Sequence, residues 1–575
     1  MPELPEPPHS LAMGTTLLDV RDAPRRPVPP VPADRDPVAT YYCKTLEQVR
    51  ATEYDIVIVG GGAVGSAVLH RLMRQAGPWH PKVLLLEKGS FLLPEHVQNL
   101  DPRYQRLMMD AVARPWRRAP DTTYDLAPQI PYLGGRAQFW STWIPQPTAA
   151  QMPGWPAPVT EELNDYWSSA KEFLGAVLPS DMGTQFSEFQ PRLIERLKEH
   201  LFGISHFPKE IQAPELQVEL ASRDTTSSLH YRKFSPVPLL IGLATAYPGS
   251  VDIVTGCEVH EIRHTADGSD GRRRATELST AQGLLKLGAR TELVLANGIV
   301  EPTGLLLNSF GDALPDFTGT NFGGHVASWF SVRVPRAAWK GLEGKGLQVG
   351  CLYLRGRVQQ PELPEPRDFH IHLMGASNPE PATAVPDLYR LIPDSFDQEF
   401  LQQLTDADHI GFLVHCLGEW RSRPKDARGS TVTVDRGEAV LKIEPSEADT
   451  DLRRIMDESA QRMVKEILAE GVAPDAIQYW HPGRNGTPGS WQSTIPADRM
   501  KDALVHESGT LWMGDTPEDS VTDVNCRLHQ VSNLYVGGAA TFPTSGSWNP
   551  TLTAVALGQR LADHLLRSGR NGGPR

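Results

Sequence analysis

The chain has 575 residues, 40% hydrophobic and 22% charged, the composition of a globular protein with room for more than one domain. Its formal charge of −13 repels phosphate backbones and argues against a nucleic-acid partner. No apolar run of about 18 residues occurs, so no membrane-spanning helix is predicted.

The first fifty residues stand apart. Ten of the fifty prolines fall between Pro2 and Pro37, and proline both fixes φ and lacks an N–H. This segment predicts no regular helix or central strand. It suits an arm that packs on a second subunit, giving a homo-oligomer, or an extended tail. The start of the chain shows no apolar core of a secretion signal. Cys43, Cys257, Cys351, Cys416 and Cys526 are too scattered for a disulfide framework or a zinc site. A cytoplasmic setting is expected.

From Tyr54 the pattern is β–α–β. Asp55–Val59 is a β-branched run, and Val64, Val68 and Leu72 recur at helical spacing behind the glycines. Lys82–Glu87 reads as the second strand. A helix is predicted near Thr160–Phe173, then helix, turn and strand over Pro238–Val254. A hairpin turns at Ala266–Arg274, and Leu293–Ala296 is another buried strand. Runs at Leu347–Arg357, Phe369–Met374 and Thr431–Glu444 alternate as in an antiparallel sheet with one wet face. Ser446 and Asp449 open a helix to Leu468 as a capping pattern. A strand at Asn533–Val536 and a helix from Thr551 close the chain.

Gly60-Gly-Gly62-Ala63-Val64-Gly65 follows the first strand and opens the helix. Gly60 permits the tight turn, Gly62 lets backbone approach a pyrophosphate, and Gly65 lets helix and strand pack closely. The helix N-terminus offers unpaired N–H groups to phosphates. Glu87 lies 22 residues past Gly65, where a carboxylate accepts from a ribose diol. These residues predict a dinucleotide site without separating NAD from FAD.

The C-terminal stretch narrows the choice. It reads His506, Gly509-Thr510, Met513-Gly514, Ser520-Val521, Asp523, Asn533–Val536, Pro543-Thr544 and Asn549-Pro550-Thr551, then Thr553. This resembles the closing signature of the glucose–methanol–choline (GMC) oxidoreductases. The resemblance implies an FAD enzyme in which His506 and Asn549 are the catalytic pair, His506 as base and Asn549 as a hydrogen-bonding partner of the same hydroxyl. Pro550 and Thr551 then lie where the family's backbone faces the flavin. Leu295–Leu307 resembles the second dinucleotide-contact segment of two-domain FAD enzymes, and brings in Asn297 and Gly298. Cys257 and Val259 follow a strand, as an adenine contact or as an ordinary strand end.

Gly134-Gly135, then Phe139-Trp140 and Trp143, resemble the flavin-facing loop of the pyranose oxidase branch. Some members carry a covalent flavin on a His here. Phe139 cannot form that bond, so noncovalent FAD is expected. Trp140 and Trp143 suit either core packing or a substrate wall. Gly537-Gly538 stands where many alcohol-oxidising relatives have Asp-Ala, and this too resembles the pyranose oxidases.

His370-Ile-His372 puts two imidazoles on one strand face with no third ligand, so no metal is expected. His409 and His415 lack helical ligand spacing, and His529 reads as structural.

The fold implied is α/β: a discontinuous Rossmann-like FAD-binding domain plus a substrate-binding domain with an antiparallel sheet. The boundaries are 52–150, 235–315 and 490–570 for the first, 151–234 and 316–489 for the second, with 1–50 as the arm. The function implied is oxidation of a secondary alcohol of a sugar or glycoside to a ketone, with oxygen or a quinone-type acceptor taking the electrons. A non-sugar alcohol, or a catalytically silent flavin-binding subunit, are the alternatives.

Overall fold

The computed structural model describes residues 23–25, 36–75, 80–120, 122, 124–209, 216–223, 232–268, 271–361, 363–422, 424–426, 428–483 and 487–571. Most of the proline-rich arm lies outside them. Its described end forms two short helices, Pro37–Tyr42 and Leu46–Val49, where no regular helix was expected. Asp36 caps the first of these, with Pro37 at its first turn, the one place a helix accepts proline.

The chain first builds a parallel sheet. Strand β1 (Ile56–Val59) leads through the glycine turn into helix α1 (Ala63–Gln75) and strand β2 (Val83–Leu86). Helix α2 (Pro236–Ala246) and strand β3 (Val251–Val254) follow, then β4 (Glu292–Leu295) and helix α3 (Val300–Phe310). All four strands are buried or nearly so, as parallel strands covered by helices on both faces must be.

The chain then crosses into a larger sheet. Strands β5 (Gly323–Pro335), β6 (Gln348–Val358), β7 (Arg367–Ser377) and β8 (His409–Trp420) run antiparallel in the order β6–β7–β8–β5. Helix α4 (Glu447–Met463) covers one face, and Leu452 and Met456 sit against Gly418 of β8. Its N-terminus carries the predicted Ser446–Asp449 capping box. The helix widens into a π turn over Val464–Leu468.

Strand β9 (Met500–Ser508) pairs with β5, and β10 (Leu534–Val536) returns to the parallel sheet. The parallel order is thus β10–β4–β1–β2–β3. Helix α5 (Thr551–Asn571) closes the chain and packs on α1.

Two expectations need correction. The large sheet has no wet face: β6, β7 and β8 are buried along nearly their whole length. The Phe189–His200 helix and α4 dry one side, and the other looks toward the parallel sheet. Alternation in these runs therefore separates two buried environments. Second, Thr431–Asp435 and Glu438–Lys442 form a hairpin outside the large sheet, paired with Trp116–Arg118.

Candidate functional site

A cavity of about 610 Å³ lies between the two sheets, within the size range of ligand sites. It gathers Gly60, Gly62, Ala63, Val64, Glu87, Gly135, Phe139, Trp140, Trp143, Cys257, Val259, Asn297, Gly298, His506, Gly537, Gly538, Asn549, Pro550 and Thr551 on one wall or another. Two expected residues stand behind it. Gly65 packs α1 onto β1, where a Cβ would fall 2.0 Å from the Gly60 carbonyl oxygen. Gly134 packs under the loop, against Val237 and Gln138.

The end of the cavity near the glycine turn fits a dinucleotide. A Cβ on Gly62 would meet no protein atom within 4 Å, so this backbone faces open space beside the N-terminus of α1. Glu87 sits at the end of β2 and accepts from the Gly61 and Lys88 N–H groups, both at 2.8 Å. Burial pushes its carboxyl up to about 7, against the pull of those N–H groups. Asn297 Oδ1 and Glu301 Oε2 are buried acceptors with no protein partner, and both residues line the cavity. Orphaned acceptors beside an open backbone cradle are what a hydroxyl-rich, phosphate-bearing cofactor would satisfy.

The other end holds the histidines. Sheet register puts His325, Trp329, His370, His372 and His415 on one face, because His372 lies opposite His415 and Trp329 opposite His415 from the other side. Strand β9 extends this sheet beside β5 and carries a bulge. Gly323 and His325 are two residues apart, but their partners Ser508 and Val505 are three apart. The extra residue lies at the stretch carrying His506, whose φ of 54° is unusual for any residue but glycine. The bulge turns the imidazole toward Asn549, 3.4 Å away between Nδ2 and Nε2.

Around this pair the bonds continue. His506 Nδ1 lies 2.9 Å from His325 Nδ1, and His325 Nε2 lies 2.9 Å from the Gly546 carbonyl oxygen. Asn549 Oδ1 is 3.1 Å from His372 Nε2, and His372 Nδ1 is 2.8 Å from Asp394 Oδ2. The Trp143 indole N–H donates to that same oxygen at 3.1 Å. Burial, and the neighbouring His325 and His372, hold His506 well below the usual histidine range. Burial likewise keeps His325 down, to about 3. Asp394 is held well below the usual carboxylate range by His372 and His415, which outweigh its burial.

Sequence reasoning missed His325 and Asp394, and read His372 and His415 only as failed metal ligands. Among the described residues no cluster suits a metal ion. Asp394 sits in an irregular loop, where no period marks a functional side chain. Trp143 proves to be both core and wall: it is 1% exposed, stacks on His372 at 4.7 Å between ring centroids, and lines the cavity. Phe139 is buried with Tyr132 and Phe396. His529 meets Ser520 Oγ at 2.9 Å, away from the cavity. All five cysteines are free.

Known proteins place this arrangement. Residues 426–558 match the family profile described as GMC oxidoreductase, C-terminal part. Paromamine 6'-oxidase of Streptomyces fradiae is 24% identical, over 97% of this chain and 96% of its own. 6'''-Hydroxyparomomycin C oxidase of Streptomyces lividus is 25% identical, over 94% and 96%. A variant of the Aspergillus oryzae RIB40 formate oxidase, solved to study FAD modification, shares the fold: TM-score 0.59 at 16% identity, over 91% of this chain and 99% of that one. The C-terminal match, the two-sheet fold and these relatives make the chain similar to the GMC oxidoreductases and support an FAD-dependent alcohol oxidoreductase.

Proposed function

We propose that the chain oxidises a secondary alcohol of a sugar or glycoside to a ketone, with oxygen or a quinone-type acceptor taking up the electrons. The observation that carries this reading is the His506–Asn549 pair at 3.4 Å, on the cavity wall that faces the histidine sheet. Both full-length relatives are named as oxidases of sugar-containing molecules, which supports the substrate class.

In this reading residues 52–150, 235–315 and 490–570 hold the cofactor, and 151–234 with 316–489 cover the substrate. Gly60, Gly62 and the start of α1 would receive the pyrophosphate, and Glu87 a ribose. FAD, when bound, supplies the two-electron acceptor for a hydride from the carbinol carbon. His506, kept neutral by burial, takes the hydroxyl proton on Nε2. Asn549 holds the same hydroxyl without competing for its proton. Trp143 and Trp140 wall the site and exclude water. Phe139 leaves no nucleophile for a covalent flavin link, so FAD is held noncovalently.

A second reading concerns the carbon attacked. The two relatives' names cite 6' and 6''' positions, which favours an exocyclic hydroxymethyl group and an aldehyde product. Product analysis after turnover with a panel of monosaccharides and glycosides separates the two. A ketone supports the first reading and an aldehyde the second. Turnover with simple alcohols and none with any sugar would remove both.

A further inference from the structure

The hydrogen bonds around His506 run in one direction, and two groups that can only accept anchor them. At one end is the Gly546 carbonyl, which must take a proton from His325 Nε2. Neutral His325 then offers a lone pair at Nδ1, so His506 carries its proton on Nδ1 and donates. That leaves His506 Nε2 bare. A bare Nε2 accepts from the Asn549 amide NH₂, which turns the amide oxygen toward His372. His372 must donate to that oxygen from Nε2.

At the other end is Asp394 Oδ2. It already accepts from the Trp143 indole N–H, which cannot accept in return. His372 therefore donates to it from Nδ1 as well. Both ring nitrogens of His372 are thus donors, one toward the buried carboxylate and one toward the Asn549 amide oxygen. His415 Nδ1, at 3.5 Å, lies beside the same oxygen.

We propose that His372, clamped by Asp394, is a positioning residue that fixes the Asn549 amide with its NH₂ toward the bare His506 Nε2, the nitrogen that acts as the base. This rests on His506 being that base. The consequence of breaking the clamp follows from Trp143. In Asp394→Asn an oxygen must still face the indole, so His372 still donates from Nδ1. With the carboxylate gone, nothing holds both His372 nitrogens as donors, and Nε2 turns from donor to acceptor. The Asn549 amide then flips and sets its oxygen, in place of its NH₂, against the His506 Nε2 lone pair, because His325 still holds the His506 proton on Nδ1.

The test uses holoenzyme of wild type, Asp394→Asn, Asp394→Glu, His372→Leu, His372→Gln and His506→Ala. Each is checked first for flavin content and circular dichroism. In ¹⁵N-histidine-labelled protein without substrate, a His372 Nε2–H signal is expected in wild type and is expected to be absent in Asp394→Asn. Flavin reduction is then followed anaerobically with the sugar or glycoside that reduces wild type fastest. Asp394→Asn and His372→Leu are expected to lose about a hundredfold or more in limiting rate, the scale of a lost general base, with substrate KM within about threefold. Asp394→Glu, and His372→Gln with its retained amide donor, are expected to recover most of the rate. A His372 Nε2–H that persists in Asp394→Asn overturns the proposal, as does equal loss in His372→Leu and His372→Gln. A His506→Ala enzyme that reduces at the wild-type rate would instead sink the base assignment beneath it.

Discussion

His506 combines three features that a structural histidine rarely shows together. It has a positive φ, it sits on a bulge, and it is held neutral in a cavity. Its folded-state value lies well below 6.5, so the imidazole stays neutral as pH falls through that point. The rate of anaerobic flavin reduction should therefore stay level between pH 8 and 6.5, with its acid limb well below. A limb near the ordinary histidine value, about 6.5, would mean that the ring is not buried as described. The residues found from the sequence were those with a fixed neighbourhood: His506 within His-x-x-Gly-Thr, and Asn549 before Pro550-Thr551. Asp394 and His325 carry no such neighbourhood. They meet the pair only through strand register and an irregular loop, which no local pattern encodes.

Among the elements, the glycine turn separates packing from ligand contact. A side chain at Gly65 would collide with the Gly60 carbonyl, whereas one at Gly62 would enter open space. Gly65→Val is expected to destabilise the protein by about 1–3 kcal/mol or prevent folding, the scale of overpacking. Gly62→Val should leave the denaturation midpoint near wild type but lose bound flavin. Equal flavin content in Gly62→Val and wild type would move the pyrophosphate elsewhere. Helix α4 makes a comparable point. Asp449 completes its capping box and also pairs with Arg367 at 2.5 Å, both side chains 1% exposed. Asp449→Ala should cost about 3–5 kcal/mol, because it strands a buried guanidinium, and a shift in denaturation midpoint reads this directly. The cap was legible from Ser446 and its spacing. The buried arginine beneath it was not, since Arg367 looks like any polar strand end.

At the scale of the whole molecule, the parallel sheet draws strands from both ends of the chain, so the site forms only when β10 and α5 return to β4 and α1. The strands themselves were readable from apolar runs bounded by glycine. That the large sheet is dry on both faces was not, because alternation reports a change of surroundings and not which side is wet. The resemblance to the pyranose oxidase branch sets Phe139 where a covalent flavin link would need a nucleophile, and on that reading acid precipitation of the holoenzyme should release all of its flavin to the supernatant. Flavin retained in the pellet would contradict noncovalent binding.

The most direct test of the central claim is anaerobic stopped-flow of the purified holoenzyme against sugars, glycosides and simple alcohols, watching the visible band of oxidised flavin. Fast bleaching with a sugar or glycoside is expected, slowed by about two to four orders of magnitude in His506→Ala. Bound flavin that no alcohol bleaches, or bleaching that His506→Ala leaves unchanged, would contradict it.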